Sequence, residues 1–561
     1  MVNQRKKDLR NLALIIIAIV LFNSVSSKFF TRFDFTAEKR YTLSPLTKSI
    51  LTSLKEPVQI TVYLEGEFPA GFKRLRNSTE DLLRDFDSYA GKNLHFDFVI
   101  PLSGDQKSQE EAYQRLLEMG IEPTQLSVKT EDGMSQKMIY PLALITYKGL
   151  QVPVKLLQTK AGVSPEEVLN NSIQNLEYAF ASAIKKLSVG GSIRIGFTEG
   201  HGELNDLQLN DAIQSLGDSY EVGRVDLQTI PVEGLDQLKV LIIAKPETAF
   251  SEAEKFKIDY FVRNGGSLIW SIDQVSAELD SLRGAGEQLA FPKKLGLDDI
   301  LFKYGVRLNY DLIADMNAAQ IPLNVGAVGG QSQIELLPWL FYPIFVPVST
   351  HPIVKNLDGI KSEFSSTIDL IAVKNVRAEV ILASSPFSRT VKTPTVLSLQ
   401  MVEQEPDPAL FQNAPMPVGV LLEGEFPSNF KNRPIPEGIP GNITIPGKAK
   451  PAKMMVLADG DFFKNQVNNS DGSPYPLGFD RFTPDQQFAN KSFLLNTVDY
   501  LVDDSGIIGL RNKEIKLRLL DRARIRQEKT FWQIINIALP LFVIFLAGIF
   551  QHYYRIRKYT R

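Results

Sequence analysis

The chain has 561 residues, 44% of them hydrophobic and 22% charged, with a formal net charge of -2. It is too long for one ordinary domain and too apolar for a disordered chain. Its 62 Lys and Arg against 64 Asp and Glu give no overall basic field that would point to nucleic acid. The absence of cysteine excludes thiol catalysis, disulfides, Fe–S clusters, cysteine-ligated zinc and a lipid-modified N-terminal cysteine. The only imidazoles are His95, His201, His351 and His552.

Residues 12–22 read LALIIIAIVLF. A helix continuing through NSVSSKFF reaches about 22 residues, roughly one bilayer span. Arg5, Lys6, Lys7 and Arg10 precede this segment and favour an inside N-terminus. A cleaved signal peptide, with Val25-Ser26-Ser27 as the cleavage site, is the competing reading.

Beyond it, segments 58–64, 94–100, 138–147 and 152–157 read as strands, and 75–90, 109–119 and 165–187 as helices. Strand, helix, strand, helix, two strands, helix is the order of a thioredoxin-like domain, here without the CxxC that redox chemistry needs. The first strand ends in EGEFPAGFK (65–73), a shaped turn whose Glu65 and Phe68 are candidate partner contacts.

From 192 the pattern becomes apolar strands (193–198, 238–244, 267–271) alternating with helices (207–216, 252–262), which predicts a parallel sheet covered on both faces. Segments 378–383, 418–422 and 453–457 extend that sheet, and a helix over 487–501 closes it. LLPWLFYPIFVPV (336–348) holds Trp339, either core or an exposed docking strip, and its three prolines argue against a third span. Residues 403–451 are crowded with Pro and Gly and read as a loop or docking surface. They contain LEGEFPSNFK (422–431), which repeats LEGEFPAGFK (64–73) and adds Glu423 and Phe426 to the candidate contacts.

Residues 531–550, FWQIINIALPLFVIFLAGIF, are long enough to span a bilayer. Asn536 and Gly548 are candidate helix–helix contacts. The expected fold class is therefore α/β. A thioredoxin-like domain without CxxC precedes a flavodoxin-like or glutamine-amidotransferase-like parallel-sheet domain, and two transmembrane helices flank them. The expected divisions are a cytoplasmic tail 1–10, a transmembrane helix 11–30, the first domain 31–160 and a connecting helix 161–190. The sheet domain follows over 191–505 with a Pro/Gly-rich insertion 403–451, then a juxtamembrane linker 506–530, a transmembrane helix 531–550 and a basic cytoplasmic tail 551–561. Two crossings put both termini in the cytoplasm and the body in the periplasm.

Ligands of open parallel sheets bind beyond the carboxyl ends of the strands. Three such ends carry Glu199, His201 and Glu203, then Asp273, then Asp459 and Asp461. If they converge, they could hold a hard cation or a hydroxylated ligand, with His201 carrying a proton and Glu203 orienting it. The same residues could equally cap helices and close turns. No GxxxxGK[ST], dinucleotide fingerprint or GxSxG is present, so no catalytic residue, metal or cofactor is assigned, and energy coupling requires a separate ATPase.

Four segments carry a family resemblance: RFDFTAEKRYTLSPLTKSIL (32–51), GSIRIGFTEGHGE (191–203), FVRNGGSLIWSID (261–273) and LRLLDRARIRQEKTFWQIINIALPLFVIFLAGIFQHYYRIRKY (517–559). They resemble the extracytoplasmic accessory subunits of ABC-2-type transporters, nearest to the gliding-motility-associated accessory proteins of Bacteroidota. The resemblance implies a non-catalytic inner-membrane subunit working beside an ABC permease and a cytoplasmic ATPase, in contact with membrane lipids. Self-association is left open. The residues themselves also leave two alternatives: a periplasmic ligand-binding receptor using the acidic and His201 edge, and an extracytoplasmic hydrolase.

Overall fold

The computed structural model describes residues 10–20, 42–66, 68–100, 124–130, 133–157, 164–188, 193–328, 331–402, 406–440, 443, 445–468, 470–484, 486–512 and 522–559. Two compact units emerge: Tyr41–Lys513, and the two chain ends, Met1–Arg40 with Glu514–Arg561.

The terminal unit overturns the two-pass expectation. Among the described residues only one helix, Gln527–Arg557, is long and apolar enough to cross a membrane, its most apolar 18 residues having a mean hydropathy of 2.3. The first apolar segment forms α1 (Arg10–Val20), 11 residues, about 16 Å at the α-helical rise and half of a hydrocarbon core. Residues 21–30 of the expected first span lie outside the described residues. The fold is thus mixed α/β with one membrane-length helix, and a topology with both tails on one side does not follow.

In the larger unit, the N-terminal lobe begins with α2 (Pro45–Thr52), started by Pro45 and capped by the Ser44 side chain accepting from the Thr47 N–H. A four-stranded sheet follows, built from β1 (Val58–Val62), β2 (Leu94–Phe98), β3 (Leu142–Tyr147) and β4 (Leu150–Lys155) in the order β2-β1-β3-β4. The β1–β2 pair is parallel and β3 runs antiparallel to both of its neighbours. Lys148 and Gly149, both at positive φ, make the two-residue turn between β3 and β4.

Between β1 and β2 runs α3 (Ala70–Ala90), which buries Phe72, Leu75, Thr79, Leu83 and Phe86 at helical spacing. After the sheet, α4 (Pro165–Ser188) adds Leu176, Phe180, Ile184 and Leu187 to the same core. Its buried Glu177 accepts from the Ser44 N–H at 2.7 Å and the Thr47 hydroxyl at 2.8 Å, fastening α2.

One expected strand is in fact two. Residues 138–147 break at Tyr140-Pro141, because proline has no N–H for the ladder. Gly133–Ile139 instead pairs with Thr124–Thr130 in a separate hairpin. The helix expected over 109–119 lies outside the described residues.

The second lobe is a seven-stranded sheet of β5 (Arg194–Glu199), β6 (Glu221–Asp226), β7 (Leu238–Ala244), β8 (Ser267–Ser271), β11 (Val376–Ala383), β12 (Pro417–Gly424) and β13 (Ala452–Leu457). Spatial order is β11-β12-β13-β8-β7-β5-β6. Five neighbouring strands, β13 to β6, are parallel, while β12 pairs antiparallel to both β13 and β11.

Alternate side chains enter two cores. Phe197, Val240, Ile242, Ile269 and Met455 face α5 (Asn210–Gly217) and α8 (Asn490–Val502). Leu241, Ile243, Leu268, Trp270 and Val456 face α6 (Glu252–Arg263) and α7 (Asp298–Tyr304). Burial on both faces explains the unbroken apolar runs of β7 and β8.

Between β8 and β11 the chain inserts a β-rich module. Its main element is a long hairpin, β9 (Ala318–Val328) with β10 (Gln331–Phe345), and its core gathers Trp339, Phe341, Tyr342 and Phe364. The two lobes meet at Asp499 of α8, which accepts from the hydroxyls of Tyr178 (3.1 Å) and Tyr220 (2.5 Å) and from Lys186 Nζ (2.9 Å). The chain ends with α9 (Arg522–Tyr559), which runs through the expected linker and tail and carries Pro540 inside it.

Candidate functional site

The carboxyl ends of β5, β8 and β13 carry the expected polar groups, but these form two adjoining clusters rather than one cleft. Glu199 joins neither, because it turns outward to Arg224 at 3.3 Å.

The first cluster surrounds His201, held between Gly200 (φ 109°) and Gly202 (φ 78°). The side chain is 2% exposed and stacks on Phe250 with ring centroids 3.9 Å apart. Nδ1 lies 3.5 Å from Glu203 Oε1, and Nε2 lies 3.1 Å from Glu254 Oε1. These are ion-pair contacts set off the line of a good hydrogen bond.

The His201 carbonyl accepts from the Glu247 (2.8 Å) and Thr248 (3.0 Å) N–H groups, and its own N–H donates to Glu203 at 2.6 Å. Burial opposes an imidazolium here, but the Glu203 and Glu254 carboxylates outweigh it and raise the His201 pKa. Glu203 is held below its ordinary value: burial works the other way, and His201 with nearby backbone donors wins. Glu254 also closes a capping box with Ser251 at the start of α6.

The second cluster centres on Lys245, just past β7 and itself at φ 57°. Its Nζ lies 2.5 Å from Asp461, 2.8 Å from Glu278 and 3.3 Å from Asp273. Lys464 approaches Asp461 at 2.8 Å; Lys293 reaches Glu247 at 2.8 Å and Asp273 at 3.5 Å. Asp273 also accepts from the Gly460 N–H at 2.6 Å.

Fully buried Asp459 accepts from the Ser362 hydroxyl and the Glu363 and Asp461 N–H groups. Burial, then the charges of Asp461 and Asp273, push its pKa well up. Asp461 is depressed because Lys245 and Lys464 overcome the cost of burial.

Carboxylate oxygens of Asp273, Asp459 and Asp461 lie within 4.8 Å of one another, close enough to share a cation. The Lys245 ammonium already meets two of the three, so the arrangement is charge-compensated by the protein itself. Glu247 links the clusters, through its backbone to His201 and its side chain to Lys293.

Sequence reading named His201, Glu203, Asp273, Asp459 and Asp461 but missed Lys245, Lys293, Glu254, Glu278 and Phe250. The capping-box spacing from Ser251 to Glu254 was a usable signal for one of them; nothing local marked the lysines as buried.

The candidate partner contacts turn inward. Glu65 pairs with Arg76 at 2.8 Å and Phe68 packs on the N-terminal core. Glu423 accepts from the Tyr500 hydroxyl at 2.7 Å. Phe426 is buried edge-on to Tyr304, and Trp339 is 1% exposed beside Phe341, so neither is a docking strip. Asn536 and Gly548 are exposed on α9.

The glycine of the repeated EGEFP pentapeptide has a similar φ in both places: Gly66, four residues past β1, sits at 137° and Gly424, the last residue of β12, at 147°. A separate open depression of about 570 Å³, lined by Asp298, Phe302, Arg307 and Tyr310 among others, contains none of the strand-end residues.

Comparison with known proteins matches residues 37–146 to a domain of unknown function (DUF7088). A chain of Borreliella burgdorferi, described as an uncharacterized protein, is 22% identical over 521 residues, covering 92% of this chain and 91% of that one. Among solved structures, the mmIFT52 N-terminal domain aligns with 56% of this chain and 98% of its own at 14% identity, with a TM-score of 0.33. A thua-like protein from Bacteroides uniformis aligns with 56% of this chain and 92% of its own at 13% identity, with a TM-score of 0.26. Residues 192–497, the sheet lobe with its inserted module, match the family described as ABC-type uncharacterized transport system, and on that match over more than half its length the chain belongs to this family of ABC transporter auxiliary proteins.

Proposed function

We propose that this chain is the accessory subunit of an ABC transporter that serves gliding motility, holding its folded body beside the permease and ATPase and anchored in the membrane by α9. The carrying observation is the family match over the sheet lobe. The 31-residue helix Gln527–Arg557, whose apolar middle is exposed, supports the anchor. In this role the chain is non-catalytic and ATP hydrolysis belongs to a partner. The strand-end residues fit a framework role, since His201 is buried, Asp273 and Asp461 are neutralised by Lys245, and Asp459 is held by Ser362 and two backbone N–H groups.

The test is purification of the full chain from its own membranes in mild detergent. A permease and an ATPase should be recovered with it, and a chain ending before residue 522 should lose both the membrane fraction and the permease. Recovery of the full chain free of both partners would count against the role. Gliding that is unaffected by deletion of the gene would remove the motility part alone.

A further inference from the structure

The tip half of the hairpin formed by β9 and β10 extends beyond the module's core. Ile321 and Trp339 are buried at its base, whereas Gln333, Ile334, Glu335 and Leu336 are exposed, Ile334 to 67% and Leu336 to 42%. Inside the hairpin Leu323 pairs with Glu335 and Asn324 with Ile334. The other edge of β10 is held at its base, where Ile344 and Phe345 pair with Lys361 and Ile360 and the Phe341 and Pro343 carbonyls accept from the Phe364 and Ser362 N–H groups, so among the described residues no strand pairs with it over 333–336.

A two-stranded ribbon is marginal by itself in water. Proteins ordinarily blunt such an edge with lysine or other charges. Here residues 317–348 contain one charged side chain, Glu335, in a chain that is 22% charged overall. A lipid destination fails on elementary grounds, because an open ladder cannot leave its N–H and C=O groups unpaired in hydrocarbon. What satisfies such an edge is another protein strand.

The local sequence favours one strand in particular. In an antiparallel pairing of this edge with its own copy, centred on Ile334, residue 334 faces 334 and Gln333 faces Glu335 on both sides of the axis. Isoleucine meets isoleucine, and each carboxylate meets an amide rather than its own like charge. A two-fold axis requires such self-complementarity.

We propose that the β10 edge at Gln333–Glu335 is a homodimer interface, in which two hairpins join into a four-stranded ribbon about a two-fold axis through Ile334. This goes beyond the transport role and does not depend on it.

The test uses the full chain in detergent and exploits the absence of cysteine. In Ile334→Cys the new thiols face each other at disulfide range, so mild oxidation should give a covalent dimer. In Asn324→Cys, on the other strand of the hairpin, they lie about three strand spacings apart and should not react. Cross-linking of the first should be at least about tenfold faster than the second. Ile334→Lys sets two ammonium groups against each other and should convert a dimeric mass by light scattering to a monomeric one, with its thermal midpoint kept to within about 2 °C. A monomeric wild-type mass, or equal cross-linking of the two cysteine variants, would overturn the proposal. Cross-linking of Ile334→Cys to a different subunit and not to itself would overturn it too.

Discussion

Lys245 Nζ stands 2.5 Å from Asp461 Oδ2 in a site where both side chains are buried, and the lysine reaches it from a left-handed backbone conformation. That pairing sits where a parallel sheet would ordinarily present a ligand crevice. An ammonium carried by the chain itself balances the carboxylates there.

Replacing Lys245 with Met keeps the length of the side chain and removes its charge. Asp273 and Asp461 would then remain buried without their shared partner, and loss of one member of a buried pair costs about 3–5 kcal/mol. Denaturant unfolding of the full chain should show a loss of that size. A loss below about 1 kcal/mol would show that the charge compensation described here is not what holds the strand ends together.

How much of this was legible in the sequence follows from the same residues. The strand Leu238–Ala244 and the helix Glu252–Arg263 could be placed within a residue, because an unbroken apolar run and a capping box are local signals. The surroundings of that helix could not. Lys255, Lys257, Asp259 and Arg263 are charged yet all four are buried, and nothing local marks them so.

Arg263 donates to the carbonyls of Phe426 (2.8 Å), Pro446 (2.9 Å) and Gly447 (2.9 Å), and Asp259 accepts from Tyr304, Ser428 and Asn429. Apart from Tyr304, these partners come from the Pro/Gly-rich segment more than 160 positions away, a separation no periodicity reports. Part of that segment, Phe426–Asn429 with Pro446 and Gly447, therefore covers a helix. The first transmembrane span is not met for a different reason: the described helix there, Arg10–Val20, has 11 residues, fewer than a crossing needs.

The His201 cluster gives a pH prediction. Its folded pKa is raised above the unfolded value, which is about 6.5. The stabilisation is thus complete below the unfolded value and is lost as pH rises through the folded one. Glu203, whose folded pKa is lowered, contributes above its unfolded value of about 4.3 and loses that contribution as pH falls through the folded one. The gap in thermal midpoint between wild type and His201→Gln should accordingly be widest near about pH 6 and narrow towards about pH 9. A gap that stays constant across this range would mean that the imidazole is held neutral.

The duplicated pentapeptide offers an internal comparison. Gly66 and Gly424 share a positive φ, so Ala is strained at both, by about 1 kcal/mol. They differ in room. A Cβ on Gly424 would fall 2.0 Å from the Asn375 carbonyl oxygen, whereas on Gly66 the nearest atom is the tip of Phe68 at 3.8 Å. Gly424→Ala must move β11 away from β12 and should be the more damaging by at least about 2 kcal/mol in denaturant unfolding. Equal losses would mean that the sheet edge yields freely.

Asp499 is where the two lobes can be uncoupled without touching either core. It collects Tyr178 and Lys186 from the N-terminal lobe's α4 and Tyr220 from the sheet lobe on one carboxylate. Lys185 with Asp503, 3.3 Å apart, is the main ionic support nearby. Asp499→Ala removes one acceptor from three donors, and with charge-assisted bonds at stake the junction should weaken by about 2–4 kcal/mol. Tyr220 belongs to the sheet-lobe core and would lose a hydrogen bond but not its apolar contacts, so both hydrophobic cores should keep most of their own stability. Calorimetry should therefore turn a single unfolding endotherm into two, with the smaller, lower one belonging to the N-terminal lobe. If the variant instead melts in one cooperative step at a uniformly lower temperature, the apolar face of α4 rather than Asp499 joins the lobes. The rigidity of the body would then come from packing.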